Sequence, residues 1–235
     1  MLKNVNMPPL LQQIWYNRAM KQILIATTNP AKITTIKKIL AKLGYEGLSF
    51  ADLNLKLDEP EETQLTAEEI ATEKALGYAK QYDGLPILAR DDTNVFVGVS
   101  DEDNPRNHNK AFVASRSGGE YSDELGVKVF SELAHKYGGE ISAGFDWGYA
   151  LAWRENGELK VVSGLTSTGT DKTKIVDTPS PVRVPGFCFS PIFKVLIDGE
   201  WKYDSEFTEE DNWKAYWNVQ AETIKKLLEQ CPQLT

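Results

Sequence analysis

The chain has 235 residues, 41% hydrophobic and 26% charged, enough apolar material for one sizeable core or two lobes sharing a cleft. Its 34 acidic against 26 basic residues leave a net charge of −8, which argues against a nucleic-acid partner, because duplex binding needs clustered Lys and Arg to displace counterions. No apolar run is long enough to span a bilayer, so no membrane partner is expected, and two cysteines, Cys188 and Cys231, give no disulfide framework and suit a reducing, cytoplasmic compartment.

Residues 1–19 carry Lys3 and Arg18 without a long apolar centre, so they read as an N-terminal extension with a helix around 10–17 and not as a secretory signal. The body, 20–235, reads as a single domain. It opens with an apolar strand, 22–26, running into the turn Thr27-Thr28-Asn29-Pro30-Ala31-Lys32 and a helix over 31–43 with Ile33, Ile36, Leu40 and Leu43 on one face. A helix N-terminus offers unpaired N–H groups and the positive end of the macrodipole, and Lys32 adds a full charge, so the turn suits phosphate. An ordinary turn with Thr or Asn as N-cap accounts for the segment equally well. The glycines of a Walker loop are absent.

An acidic stretch follows, with Asp58, Glu59, Glu61, Glu62, Glu68 and Glu69. Thr66 and Glu69 have capping-box spacing for a helix over 67–82, so Glu69 is assigned to its helix; the run 58–62 also fits a merely solvated loop. Next, the apolar run Leu85-Pro-Ile-Leu-Ala delivers Arg90-Asp91-Asp92-Thr93, between strands at 86–89 and 94–99. Two adjacent acids here repel unless a cation or Arg90 compensates. Hard oxygen ligands of this kind suit Mg²⁺, which takes one or two carboxylates plus substrate phosphates.

Residues 100–120 read as a polar loop, and a helix over 123–137 stops at Gly138-Gly139. Asn156-Gly157 and Asp198-Gly199 mark hairpins joining 149–154 to 159–162 and 192–197 to 201–203. A last helix covers 213–229. The two histidines, His108 and His135, stand apart from soft ligands, so neither a zinc site nor a His-based triad is expected. The element order predicts an α/β fold with a mixed, twisted sheet flanked by helices.

The turn 27–32, the segment Glu59-Pro60-Glu61-Glu62-Thr63, Ala67-Glu68-Glu69 leading to Lys74-Ala75, Asp91-Asp92-Thr93, and Phe187-Cys188-Phe189-Ser190-Pro191-Ile192-Phe193 follow one another in this order. The set resembles the Ham1-like family, the inosine/xanthosine triphosphate pyrophosphatases, whose versions read T-G-N-x-x-K, E-E-T, D-D-S or E-D-T, and F-G-Y-D-P-I-F. The resemblance runs from Lys21 to the C-terminal helix. It implies an elongated fold with two lobes around a central cleft, a homodimer, and Mg²⁺-dependent hydrolysis of a non-canonical purine nucleoside triphosphate to monophosphate and pyrophosphate. It places Thr27, Thr28, Asn29 and Lys32 on the phosphates, Asp92 as the catalytic and metal-linked acid with Asp91 beside it, and Thr93 as the neighbouring hydroxyl. Glu61 matches the metal-binding Glu, in a register that also admits Glu59 or Glu62.

On the base side the match breaks. The motif's Asp is Ser190, its Gly is Cys188, a Lys is Asp211, and a C-terminal Ser-His-Arg aligns with Tyr216-Trp217-Asn218. These losses remove groups that would satisfy a keto purine and leave the base open. Phe187, Phe189 and Trp217 remain as stacking candidates or as core; Phe193 reads as core. Two other readings stay alive: a nucleotide sensor that does not turn over, and a pyrophosphatase for a modified pyrimidine, as in Maf-like proteins.

Overall fold

The computed structural model describes residues 20–106 and 108–235; the helix expected at 10–17 lies outside them. Eight strands form one mixed sheet: β1 (Lys21–Ile25), β2 (Tyr45–Leu48), β3 (Ile87–Phe96), β4 (Glu140–Glu155), β5 (Glu158–Ser167), β6 (Thr173–Val176), β7 (Phe193–Ile197) and β8 (Glu200–Tyr203), in the order β2-β1-β3-β4-β6-β7-β8 with β5 also on β4. Only β1 pairs in parallel, with β2 and β3; the other pairings are antiparallel. The long β4 divides the sheet. Its first residues, Glu140 to Ser142, pair with β6, while Asp146 to Glu155 pair with β5.

The helices are α1 (Pro30–Lys42), α2 (Ala67–Gln81), α3 (Asn109–Ser117), α4 (Asp123–Lys136), α5 (Glu209–Asn212) and α6 (Asn218–Leu228), with a π-helical turn at Trp213–Trp217 joining the last two. The region expected as loop at 100–120 contains α3, and the strands expected at 86–89 and 94–99 are one continuous strand.

Side chains alternate across a strand, and in this sheet the alternation also sorts them by size. Trp147, Tyr149, Leu151 and Trp153 of β4 face the core built with α1, α4 and α6. Ala150 and Ala152 of β4 and Ala89 of β3 face α2, which replies with Ala71, Ala75 and Ala79. Small residues on both sides bring α2 close to the sheet. Gly148 marks the tightest point: a Cβ there would stand 2.1 Å from the Ala67 carbonyl carbon and oxygen. That contact is with backbone, which cannot swing aside. Gly148→Ala is therefore expected to destabilise the protein by about 2–3 kcal/mol in urea unfolding; an unchanged midpoint would mean that α2 is not seated this tightly.

The same alternation sets the acids. In β3, Arg90, Asp92 and Asn94 share the face of Leu88, whereas Asp91 and Thr93 point with Ala89 toward α2. Adjacent carboxylates thus leave on opposite faces of the strand. Each meets its own lysine.

Candidate active site

The β1–α1 turn begins at the sheet's parallel end. Asn29 caps α1, its Oδ1 accepting from the amides of Ala31 at 2.9 Å and Lys32 at 3.2 Å, and Pro30 fills the first helical position, where no N–H is needed. The Asn29 amide donates to Thr27 Oγ1 at 3.2 Å. The cap directs Lys32 across the turn, where its Nζ sits 2.9 Å from Asp92. The other Asp92 oxygen takes Arg90 Nε at 2.7 Å. Burial alone would raise the Asp92 carboxyl, but Arg90 and Lys32 outweigh it and hold the group at about 2. Arg90 is itself anchored: it is buried, its guanidinium lies 5.5 Å from the Trp147 ring centre, and Nη1 donates to Gln220 Oε1, which also accepts from Tyr149.

On the opposite face, Lys74 of α2 bonds Asp91 and stands 2.9 Å from Glu62. Burial works to lower the Lys74 ammonium, yet Asp91 and Glu62 together raise it. The acidic segment is strapped along α2. Asp58 exchanges two 2.9 Å bonds with Gln81, Pro60 fills the space left by Gly77, and the Thr63 amide and hydroxyl donate to Glu73. Glu69 accepts from Thr66 at the start of the helix, as its capping spacing predicts.

Lys32, Lys74, Arg90, Asp91, Asp92 and Glu62 line one cleft of about 940 Å³, together with Glu59, Lys110, Phe145, Trp147 and Phe187. Its other end is built by the 187–193 segment and the C-terminal helices. There Ser190 donates to Asp204, Tyr216 sets its ring edge-on to Trp147 at 5.3 Å, and Trp217 stands edge-on to Trp213 at 5.3 Å. Lys38 of α1 lies 5.2 Å over the Trp217 ring, tying the phosphate-side helix to the far wall.

The Ham1 family profile matches residues 23–230. The chain belongs to the Ham1 family. It is 30% identical to the dITP/XTP pyrophosphatase of Bacillus subtilis over 88% of this chain and 96% of that one. It is 31% identical to the one from Agrobacterium fabrum, over 90% and 96%. A HAM1 protein from Coxiella burnetii has the same fold, with a TM-score of 0.61 at 21% identity over 90% of this chain and all of that one.

Within this Ham1 chain the cleft gathers Thr27, Thr28, Asn29, Lys32, Asp91, Asp92, Phe187, Phe189, Ser190 and Trp217, and leaves out three residues expected there. Glu61 is exposed, and Glu59 and Glu62 border the cleft instead, because Pro60 against Gly77 and Thr63 on Glu73 fix the register of the segment. Thr93 faces α2, where its buried hydroxyl has no partner among the described residues. Asn218 is exposed. The π turn Trp213–Trp217 places Tyr216 and Trp217 on the cleft. Phe189 packs 4.3 Å from Phe130 and 5.8 Å from Phe145, as core, while Phe187 is half-buried on the wall. Asp211 caps α5 and pairs with Lys202 at 2.8 Å.

Sequence reading held Glu62 as an alternative register and Arg90 as a compensating charge, and it gave no role to Lys74, Asp204 or Gln220. Lys74 and Arg90 carried a signal. Lys74 precedes Ala75 in a stripe of alanines facing the sheet, and Arg90 extends an apolar strand; a charge in either place calls for a partner.

Proposed function

We propose that this protein hydrolyses a non-canonical purine nucleoside triphosphate to the monophosphate and pyrophosphate, as the names of its relatives suggest. The observation that carries the reading is Asp92, held as a carboxylate between Lys32 and Arg90 in a cleft whose other end is aromatic. Water forms the new bond to the α-phosphorus and loses its proton to bulk solvent, the bond from that phosphorus to the bridging oxygen breaks, and pyrophosphate leaves with its electron pair. Lys32 and Lys74 exchange their carboxylate partners for phosphate oxygens, while Arg90 stays and fixes the orientation of Asp92. With Lys32 and Arg90 both beside it the Asp92 carboxyl is held at about 2, so it meets the substrate ionised, able to position water and to ligate.

The acids fit Mg²⁺. Among the described residues no ready-made group of three ligands exists, which agrees with an ion that takes one or two carboxylates and fills its shell with water and phosphate. Asp92 on one face, or Asp91 with Glu62, which share Lys74 on the other, would hold it once the lysine there moves. It would neutralise charge on the phosphates and on the departing pyrophosphate. No helix among the described residues is long and apolar enough to cross a membrane, and we assign the enzyme to the cytoplasm.

Pyrophosphate release with Mg²⁺, measured across ITP, XTP, the canonical triphosphates and modified pyrimidine nucleotides, tests the reading. Release from keto purines supports it. Binding without release would make the protein a sensor, and release confined to a pyrimidine would move the activity to that base. We also assign a homodimer, since Trp201, Leu165 and Val182 remain exposed on the single chain. Sedimentation is expected to give twice the 26.3 kDa chain mass; a stable monomer at high concentration would remove that assignment.

A further inference from the structure

The base end of the cleft holds a carboxyl that the reaction above does not use. Asp204 follows β8, lines the cleft, and is half-buried. Asp91, Asp92, Asp103 and Asp211 each pair with a lysine or arginine, whereas Asp204 forms no ion pair among the described residues. Its protein partner is the hydroxyl of Ser190, the residue that stands where the family motif carries its own Asp. Beside it two more polar groups are unspent. The Tyr216 hydroxyl and Ser205 Oγ are buried and border the same cleft; Ser205 Oγ has no hydrogen-bond partner among the described residues, and the Tyr216 hydroxyl lies close enough to the Asp204 carboxyl to feel it but makes no well-formed hydrogen bond. Tyr216 as a whole is 7% exposed. Buried polar atoms without partners are rare in folded proteins, and two of them beside a carboxyl that has no counter-ion point to a ligand edge that completes them.

We infer that Asp204, held in place by Ser190, is the base-reading acid of this enzyme, and that it takes the ring N–H of a lactam edge whose carbonyl accepts from Tyr216 or Ser205. The carboxyl lost at 190 has moved to 204. Ser190 is small enough to leave room for it and supplies the hydroxyl that orients it. Among the described residues no lysine or arginine pairs with Asp204, so the recognition is a carboxyl acceptor beside hydroxyl donors, complementary to a ring N–H next to C=O. Burial first, and the Asp204 charge second, raise the Tyr216 hydroxyl, which keeps it a donor. Burial raises the Asp204 carboxyl too, as fits an acid waiting for a donor. Hypoxanthine, xanthine and uracil present this edge; adenine and cytosine place a bare ring nitrogen where the N–H would be, and that nitrogen faces Asp204 lone pair to lone pair.

The inference rests on the cleft's being a nucleotide site, and its test separates it from the hydrolytic reading. Affinities for ITP, UTP, ATP and CTP are measured by calorimetry in EDTA, where turnover is not needed, alongside pyrophosphate release with Mg²⁺. The wild type is expected to prefer ITP to ATP. Asp204→Asn keeps the shape of the side chain and an acceptor for Ser190, but offers an N–H₂ toward the base. It is expected to lower the ITP-to-ATP affinity ratio at least about tenfold, the size of one hydrogen bond to a charged group in a closed pocket. Ser190→Ala, which leaves Asp204 unoriented, should shift the ratio the same way by less. The pair UTP and CTP shows whether a pyrimidine with the same edge enters. A ratio unchanged in a folded Asp204→Asn, a wild type indifferent to the ring N–H, or no nucleotide binding at all overturns the inference. Should Asp204→Asn fail to fold, the Ser190→Ala ratio decides. A ratio that falls in a protein releasing no pyrophosphate leaves Asp204 as the base reader and removes the hydrolase.

Discussion

Asp92→Asn is expected to lower kcat/KM for every accepted triphosphate by about 10²–10⁴-fold, read as pyrophosphate release. The amide keeps the volume of the side chain and one acceptor oxygen, so the cleft retains its shape. What goes is the charge. Arg90 and Lys32 both point at this group, from 2.7 Å and 2.9 Å, and with an amide between them they face each other across a neutral side chain. Lys32 no longer has a carboxylate to exchange for phosphate, and a divalent cation loses a ligand that is ionised throughout the physiological range. The loss should fall on kcat more than on KM, because Lys74 and the α1 turn still bind the triphosphate. Near wild-type release from every nucleotide would show that another group does this work. The variant should also melt at a lower temperature than the wild type, since Arg90 is 5% exposed and keeps its charge.

The half of the cleft that we propose holds phosphate was legible as structure because it is local. A strand, a capping Asn, a Pro at the first helical position and a Lys on the next turn lie within one short stretch, and their geometry follows from capping rules. Asp91-Asp92 stood out for the same reason. Their strand did not: charge at 90–92 reads as a break, yet β3 continues through it because Lys32 and Lys74 neutralise one acid on each face. The choice among Glu59, Glu61 and Glu62 was beyond periodicity, since the segment has none. Its register comes from Gln81, Gly77 and Glu73, contacts made only when α2 is in place. At the C-terminal end Tyr216 and Trp217 reach the cleft and Asn218 does not, because the π turn at Trp213–Trp217 departs from α-helical spacing just before it. Asp204 had no local signature. It is one acid after a hairpin, and only the fold carries it to Ser190.

Arg90→Met is expected to cost about 3 kcal/mol at neutral pH, and to cost less in acid. Methionine fills much of the arginine stem's volume against Trp147, and Gln220 Oε1 keeps the Tyr149 hydroxyl, so the packing loss is small. The loss is electrostatic. Asp92 is held at about 2 in the folded protein against an ordinary 3.8, with Arg90 the stronger of its two cations. A carboxyl depressed by folding adds stability above its unfolded value and loses it as pH falls through its folded one. In the wild type this contribution, about 2 kcal/mol, is therefore present above pH ~4 and fades toward pH ~2. Removing Arg90 lets the carboxyl rise toward its ordinary value, with Lys32 retaining part of the depression. The stability gap between wild type and Arg90→Met, from urea unfolding, should then narrow as pH falls from about 4 to about 2. A gap of the same size at both ends would assign the cost to packing. The same rise carries a kinetic signature. The acid limb of kcat/KM should move to higher pH in the variant, because Asp92 becomes protonated earlier, and kcat should fall at neutral pH as the carboxylate loses the partner that aims it. A limb that stays in place would separate Arg90 from Asp92 and leave Lys32 alone in control of the acid.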